Sequence, residues 1–179
     1  IGVSLGGELC MRAAAMEPRI RRVVSWSVLP SIYGALMADK PAEIRAKLEH
    51  WLDENNRDAI LDLYAGLAER EPLFRWSIQH SNYAYGTSDV YEYLQKARAF
   101  TMEPVAEQIT QDVLLLSARE DLLVDFALYK QEIDLLKNTR SLEFAAPGRA
   151  LNGQAHCNMG NTKYMLDLIL NWNDRMLER

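Results

Sequence analysis

The chain is short of several things, and each shortage closes off a class of function. Its 179 residues include two cysteines, Cys10 and Cys157, too few for a disulfide framework or a cysteine zinc site. Both are expected as small buried thiols of a reducing compartment, which places the protein in the cytoplasm unless a leader precedes Ile1. Positive charge is not in excess, with 20 Lys and Arg against 25 Asp and Glu and a net charge of -5. No nucleic-acid partner is therefore expected. No apolar run approaches the roughly 18 residues that would cross a membrane. Histidine is scarce, at His50, His80 and His156, and no metal-ligand spacing is visible. The glycine-rich run Gly2 to Gly7 lacks the lysine of a phosphate loop and the spacing of a dinucleotide fingerprint. No cofactor and no metal are expected. What is present is ordinary for a globular domain: 49% hydrophobic and 25% charged residues, enough to bury a core.

The first residues, Ile1-Gly2-Val3-Ser4-Leu5-Gly6-Gly7, carry the strongest signal. They read G-x-S-x-G-G, the pattern of a nucleophile elbow, in which a strand turns sharply into a helix and holds a serine hydroxyl out at the top of an α/β-hydrolase sheet. The tight turn asks for small residues two before and two after the serine, and Gly2 and Gly6 meet that need. Gly7 lets the helix pack closely. An elbow follows a strand and several βα units, which do not precede Gly2 here. The chain is thus expected to be the C-terminal portion of an α/β-hydrolase fold, a mostly parallel sheet with flanking helices. Its sheet edge is expected to pair with the N-terminal half of the same protein or with another copy.

The rest of the chain continues that plan. Residues 5–16 suit the helix after the elbow, with Leu9, Arg12, Ala13 and Met16 at helical spacing, and Pro18 ends it. Arg22 to Leu29 is a β-branched and aromatic run of strand length, closed by Pro30 and Gly34. From Ser31 to Gln108 helical periodicity takes over. Ile44, Leu48, Trp51 and Leu52 form one face; Ile60, Leu63, Tyr64 and Leu67 a second; Val90, Tyr91, Leu94 and Ala97 a third, with Ser88 as its N-cap. Loops fall around Pro72 and around Tyr85-Gly86. The sheet resumes with Asp112 to Ala118, an apolar run typical of a buried parallel strand. A helix carrying Phe126, Tyr129, Lys130, Ile133 and Leu136 follows. Ser141 to Ala146 is the next strand. A long loop, Gly153 to Asn161, precedes a last helix with Met165, Leu168, Ile169, Trp172 and Met176 inward. The division is hydrolase core at 1–30, an inserted helical cap at 31–108, and hydrolase core again at 109–179.

An elbow serine needs an acid and a base, in the order Ser, Asp or Glu, His. Asp121 lies three residues after the Val113–Ala118 strand, at the sheet edge where sites form in open α/β folds. Glu120 is its neighbouring competitor, and Asp125 could cap the next helix. His156 sits in the loop before the last helix, from which a base reaches the serine. His50, beside Trp51, reads as a surface residue, and His80 as structural or a substrate contact. Ser4 would then be the nucleophile, His156 its base, and Asp121 the group that orients the imidazole. The Leu5 backbone N–H would donate to the oxyanion, and the second donor lies outside this sequence. One such donor is worth on the order of 100- to 1000-fold in turnover, so this stretch alone is expected to be a poor enzyme.

Four stretches together resemble a known group: Gly2 to Gly7, Ala13 to Ile20, Leu114 to Asp121, and Ala155-His156-Cys157-Asn158-Met159-Gly160-Asn161. They are similar to the capped α/β-hydrolases called acylaminoacyl-peptidase-like or dipeptidyl-aminopeptidase-like, related to pseudooxynicotine hydrolase. The resemblance implies a Ser4, Asp121, His156 triad and a helical cap shaping the pocket. It implies cleavage of an ester, an amide or an activated carbon–carbon bond in a small or short peptide-like substrate. After the acid, relatives often carry a His and later a Pro, whereas Leu122-Leu123-Val124-Asp125 stands here, so substrate preference does not transfer. Among the cap aromatics, Trp76 and Tyr85 are the candidates to contact substrate, although aromatics at helical spacing are more often core. The reading from another class is a non-catalytic α/β-hydrolase-like module that binds a ligand or partner.

Overall fold

The third strand explains the architecture. Asp112–Leu116 reads Asp-Val-Leu-Leu-Leu, so both of its faces after the first residue are apolar, and both must be covered. In the computed structural model, which describes residues 1–38 and 40–178, this strand is β3 of a four-stranded sheet. The others are β1 (Gly2–Val3), β2 (Arg22–Trp26) and β4 (Ser141–Ala145), in the spatial order β1-β2-β3-β4 with every pair parallel. The register sets Trp26 opposite Leu116, and Leu116 opposite Ala145, so the C-terminal ends of β2, β3 and β4 lie level.

Side-chain alternation along the strands builds two cores. Val23, Val113 and Leu115 face a layer made by helix α1 (Leu5–Met16) through Met11 and Ala14, and by helix α7 (Leu128–Leu135) with Leu136 just beyond it. Val24, Trp26, Leu114 and Leu116 face the last helix, α8 (Thr162–Leu177), through Met165, Ile169, Trp172 and Met176. The expected inner face of α8 is the one observed, with Leu168 only partly buried. Helix α1 turns differently from its apolar spacing. Its buried residues are Gly7, Glu8, Met11 and Ala14, while Leu9 and Met16 are exposed. The face laid on the sheet is built from two small residues, an acid and Met11, while Leu9 and Met16 point away.

The chain divides into two compact units, one built from Ile1–Ala38 and the residues from Thr101 onward, the other from the residues between. In the first unit the short helix α2 (Ile32–Ala38) follows β2, and an antiparallel bridge joins Ser31 to Thr101. The chain thus leaves this unit and returns to it at adjacent points. The second unit is helical: α3 (Ala42–Asp53), α4 (Arg57–Arg70), α5 (Pro72–Tyr85) and α6 (Val90–Ala99). Leu48, Leu52, Ile60, Tyr64, Val90, Leu94 and Ala97 are buried in it. Helices α2 and α5 have no counterpart in the sequence reading. Pro72 opens α5 at a position that tolerates proline, and Gly86 at φ 60° closes it in the left-handed region. The N-cap of α6 is Asp89, whose side chain accepts from the Glu92 N–H at 3.0 Å. The expected cap, Ser88, instead donates its N–H to Glu92 Oε2 at 2.8 Å. Asp89 wins because its carboxylate also pairs with Arg57 and carries the negative charge a helix N-terminus favours. Among the described residues no helix is long and apolar enough to cross a membrane.

Candidate active site

Ser4 occupies the one-residue turn between β1 and α1, with φ 57° and ψ -124°. A non-glycine residue there costs about 1–3 kcal/mol and is kept only where its surroundings impose it. Two backbone bonds do so. The Ser4 N–H donates to the Trp26 carbonyl at 2.9 Å, and the Gly7 N–H donates to the Ser4 carbonyl at 2.7 Å. A serine in this position usually caps its helix, but the Ser4 side chain makes no cap bond. The turn aims it elsewhere.

The glycines explain how the turn closes. A Cβ at Gly2 would collide with the Gly6 carbonyl and come within 2.8 Å of Cys10 Sγ. One at Gly7 would collide with the Ser27 carbonyl and lie 2.9 Å from Ser25 Oγ. Gly6 differs from expectation, since a Cβ there would meet nothing within 4 Å among the described residues. What this stretch needs at position 6 is the backbone that Gly2 accommodates, not a missing side chain. Gly2→Ala is therefore expected to destabilise the fold by about 1–3 kcal/mol through overpacking. Gly6→Ala should be neutral, or stabilising by up to about 1 kcal/mol, because Ala favours helix over Gly. Urea unfolding of the two variants measures the contrast, and equal losses would contradict it.

Asp121 follows β3 after the buried Ser117 and Ala118. Its Oδ1 accepts the backbone N–H groups of Leu123 at 2.8 Å and Val124 at 3.1 Å. Its Oδ2 lies 2.8 Å from His156 Nδ1, and the side chain is only 3% exposed. The competitors are engaged otherwise. Glu120 forms a two-armed ion pair with Arg149, and Asp125 accepts from the Ala127 N–H. An ionised Asp121 only accepts, so His156 Nδ1–H donates to it. In the neutral imidazole that leaves Nε2 as an acceptor, 2.8 Å from Ser4 Oγ. The structure thus joins Ser4, His156 and Asp121 in one hydrogen-bonded chain from a strained turn to a buried carboxylate.

The remaining residues sort by position. Leu5 opens α1, so its N–H belongs to the first helical turn, whose donors have no intrahelical acceptor. Cys157 follows His156, and burial, then the Asp121 charge, pushes its thiol upward. It stays a protonated thiol, not a competing nucleophile. Cys10 is only half-buried and donates to the Gly7 carbonyl at 3.1 Å; burial pushes it up to about 11. Trp76 and Tyr85 both lie on α5 in the helical unit. Trp76 is 57% exposed and stacks on His80 with ring centroids 5.2 Å apart. Tyr85 packs edge-on against Tyr93 and Phe100 at 5.1 and 5.4 Å. His50 is exposed. Two residues to which the sequence assigns no role, Trp26 and Asn158, are buried in the same region and hydrogen-bonded to each other. In the sequence Trp26 appears only as part of the Arg22–Leu29 run, and Asn158 only as the polar residue after His156-Cys157.

No protein-family model and no curated protein matches the chain. Solved structures do. DcsB, determined in complex with its substrate analogue, aligns with 99% of this chain and 62% of its own, at 16% identity and a TM-score of 0.59. The 2,6-dihydroxy-pseudo-oxynicotine hydrolase aligns with 87% of this chain and 33% of its own, at 18% identity and a TM-score of 0.54. The chain therefore spans less than two-thirds of either structure. At such identities the likeness is one of architecture, and it agrees with the parallel sheet and flanking helices: the chain has the α/β-hydrolase fold.

Proposed function

We propose that the protein is a serine hydrolase that cleaves an ester or amide through an acyl-enzyme. The observation that carries this reading is the continuous chain of 2.8 Å contacts from Ser4 Oγ through both nitrogens of His156 to Asp121. A serine hydroxyl is a weak nucleophile until a base takes its proton. His156 Nε2 accepts that proton as Ser4 Oγ bonds to the substrate carbonyl carbon. The resulting imidazolium is held by the Asp121 carboxylate, which stays ionised. His156 then protonates the leaving alkoxide or amine, and the carbon–heteroatom bond breaks. Water repeats the cycle, giving up its proton to His156 and releasing the acid. Negative charge on the carbonyl oxygen is met by the Leu5 N–H, helped by the positive end of the α1 dipole.

The name of the second neighbour, a hydrolase, supports the general class. The finer reading places the chain with the acylaminoacyl-peptidase-like hydrolases, acting on a small or short peptide-like substrate. A fluorophosphonate probe tests the core of the proposal. It is expected to add one phosphonyl group to the protein, on the peptide carrying Ser4, and Ser4→Ala should abolish the adduct. Mass spectrometry of the folded protein reads this directly. No adduct on Ser4 would sink the assignment.

A further inference from the structure

We propose that Asn158 is a positioning residue for His156, a role that rests on the reading of Ser4, His156 and Asp121 as the catalytic groups. Asn158 is fully buried, and each end of its amide is used. Trp26 Nε1–H donates to its Oδ1 at 3.1 Å. Its Nδ2 donates to the Ser117 carbonyl at 3.1 Å and to the Gly153 carbonyl at 2.6 Å. The three partners come from three places. Trp26 ends β2 and its carbonyl holds the Ser4 N–H. Ser117 follows β3 and leads to Asp121. Gly153 lies at the start of the loop that carries His156. One side chain thus ties the backbone of the histidine loop to the end of β2, whose Trp26 carbonyl holds the Ser4 N–H, and to the end of β3, which leads to the acid.

The main chain of Asn158 adds a second constraint. Its N–H donates to the Ala155 carbonyl at 2.8 Å, closing a four-residue turn with His156 and Cys157 at the centre. Cys157 and Asn158 both adopt left-handed conformations, at φ 52°. Two such residues in a row are costly without glycine. Asparagine is among the few side chains that tolerate this region, and here its amide also anchors the turn. The loop around it is closely packed: a Cβ at Gly153 would approach Pro147 Cβ to 2.6 Å, and one at Gly160 would strike the Asn152 carbonyl. The imidazole is about a quarter exposed, and the turn that carries it fixes where the ring starts, with Asp121 holding its Nδ1 end. A shift of about 1 Å in a positioned group can cost on the order of 100-fold in rate.

The substitution that isolates the amide is Asn158→Gly, because glycine keeps the left-handed backbone without strain. Trp26→Phe is the second variant, removing one donor and keeping a ring in place. Hydrolysis of p-nitrophenyl butyrate, the rate of fluorophosphonate labelling, and the downfield proton resonance of His156 Nδ1–H are compared with wild type. Positioning predicts that kcat falls about 100-fold in Asn158→Gly with KM little changed. Labelling slows in parallel, and the Nδ1–H resonance is lost or broadened while thermal melting stays cooperative. Trp26→Phe should move the same readouts in the same direction by less. A cooperatively folded Asn158→Gly with wild-type kcat and resonance would overturn the proposal. Should that variant fail to fold, wild-type kcat and resonance in Trp26→Phe would overturn it equally. Wild-type protein that never labels at Ser4 would instead overturn the underlying catalytic reading, an outcome visible before any variant is made.

Discussion

His156→Ala is expected to slow acylation of Ser4 by about 10⁴- to 10⁶-fold, the loss seen when the base is removed from Ser-His-Asp enzymes. On the proposed mechanism, loss of Nε2, 2.8 Å away, leaves no base to accept the Ser4 proton as the carbon–oxygen bond forms. Asp121→Asn should cost roughly 10⁴-fold for a different reason. The Asn oxygen would remain with the Leu123 and Val124 N–H groups that Oδ1 now satisfies. Its NH₂ would then face His156 Nδ1, which could only accept. The imidazole proton would move to Nε2 and point at Ser4, so the base would be present in the wrong tautomer. Because position 121 keeps its shape, folding should be nearly unaffected. The two losses should not add in a double variant, since the residues act as one unit. Stopped-flow measurement of p-nitrophenyl butyrate hydrolysis gives the rates. A rate within tenfold of wild type in either single variant would exclude the general-base role drawn above.

Most of the sheet unit was legible in the sequence because its strands are apolar and its order of functional residues is constrained. Arg22–Trp26, Asp112–Leu116 and Ser141–Ala145 lie inside the runs expected as strands, each losing a residue or more at the C-terminal end where the chain turns toward the site. Order and placement favour Asp121 over Glu120, although adjacent carboxylates in a turn look alike in sequence. Arg149, which occupies Glu120, is 29 residues away, and no local pattern announces it. Helix α5 was missed for a related reason. Its half-buried face, with Phe74, Ile78 and Tyr85, is interrupted by Ser77, Ser81 and Asn82, and Leu73, Trp76 and Tyr83 lie exposed, so its apolar residues do not mark a single face. Helix α1 was found, but its packed face was not. Hydrophobic spacing marks Leu9 and Met16, whereas the sheet receives Gly7, Glu8, Met11 and Ala14. Periodicity cannot see a face built from glycine, alanine and a buried acid.

That buried acid sets the expected pH dependence of stability. Glu8 on α1 and Glu132 on α7 are both fully buried, and neither carboxyl oxygen of Glu8 has a hydrogen-bond partner among the described residues. Burial pushes Glu8 from 4.5 up to about 7, with the Arg12 charge pulling partly back. Burial pushes Glu132 up to about 8, partly offset by the Leu29 N–H and reinforced by Glu8. Cys10 feels the Glu132 charge as well, so these groups share one region of the α1–α7 layer. In the unfolded chain both acids titrate near 4.5. Between there and about pH 7 to 8 the folded state holds protons that the unfolded state has lost, so stability falls as pH rises through that window. Each acid adds a slope of about 1.4 kcal/mol per pH unit, and their share of the fall should end near pH 8, with Cys10, raised from 9.0 to about 11, adding its own only above about pH 9. Groups whose pKa is lowered by folding, such as Glu17 beside Arg19, act only in acid and do not oppose this trend near neutrality. Urea unfolding from pH 5 to 9 should show the decline. Glu8→Gln and Glu132→Gln, which mimic the neutral acids, should each remove one share of it and make the protein more stable than wild type at pH 9. A wild-type stability that is flat or rising from pH 5 to 8 would mean that these carboxyls meet water or a cation in solution. Glu8 lies one helical turn after Ser4, so the same titration loads charge beneath the elbow itself. Loss of stability should then be accompanied, in the wild type and not in Glu8→Gln, by earlier loss of fluorophosphonate labelling than of overall helix content as urea is raised at pH 9.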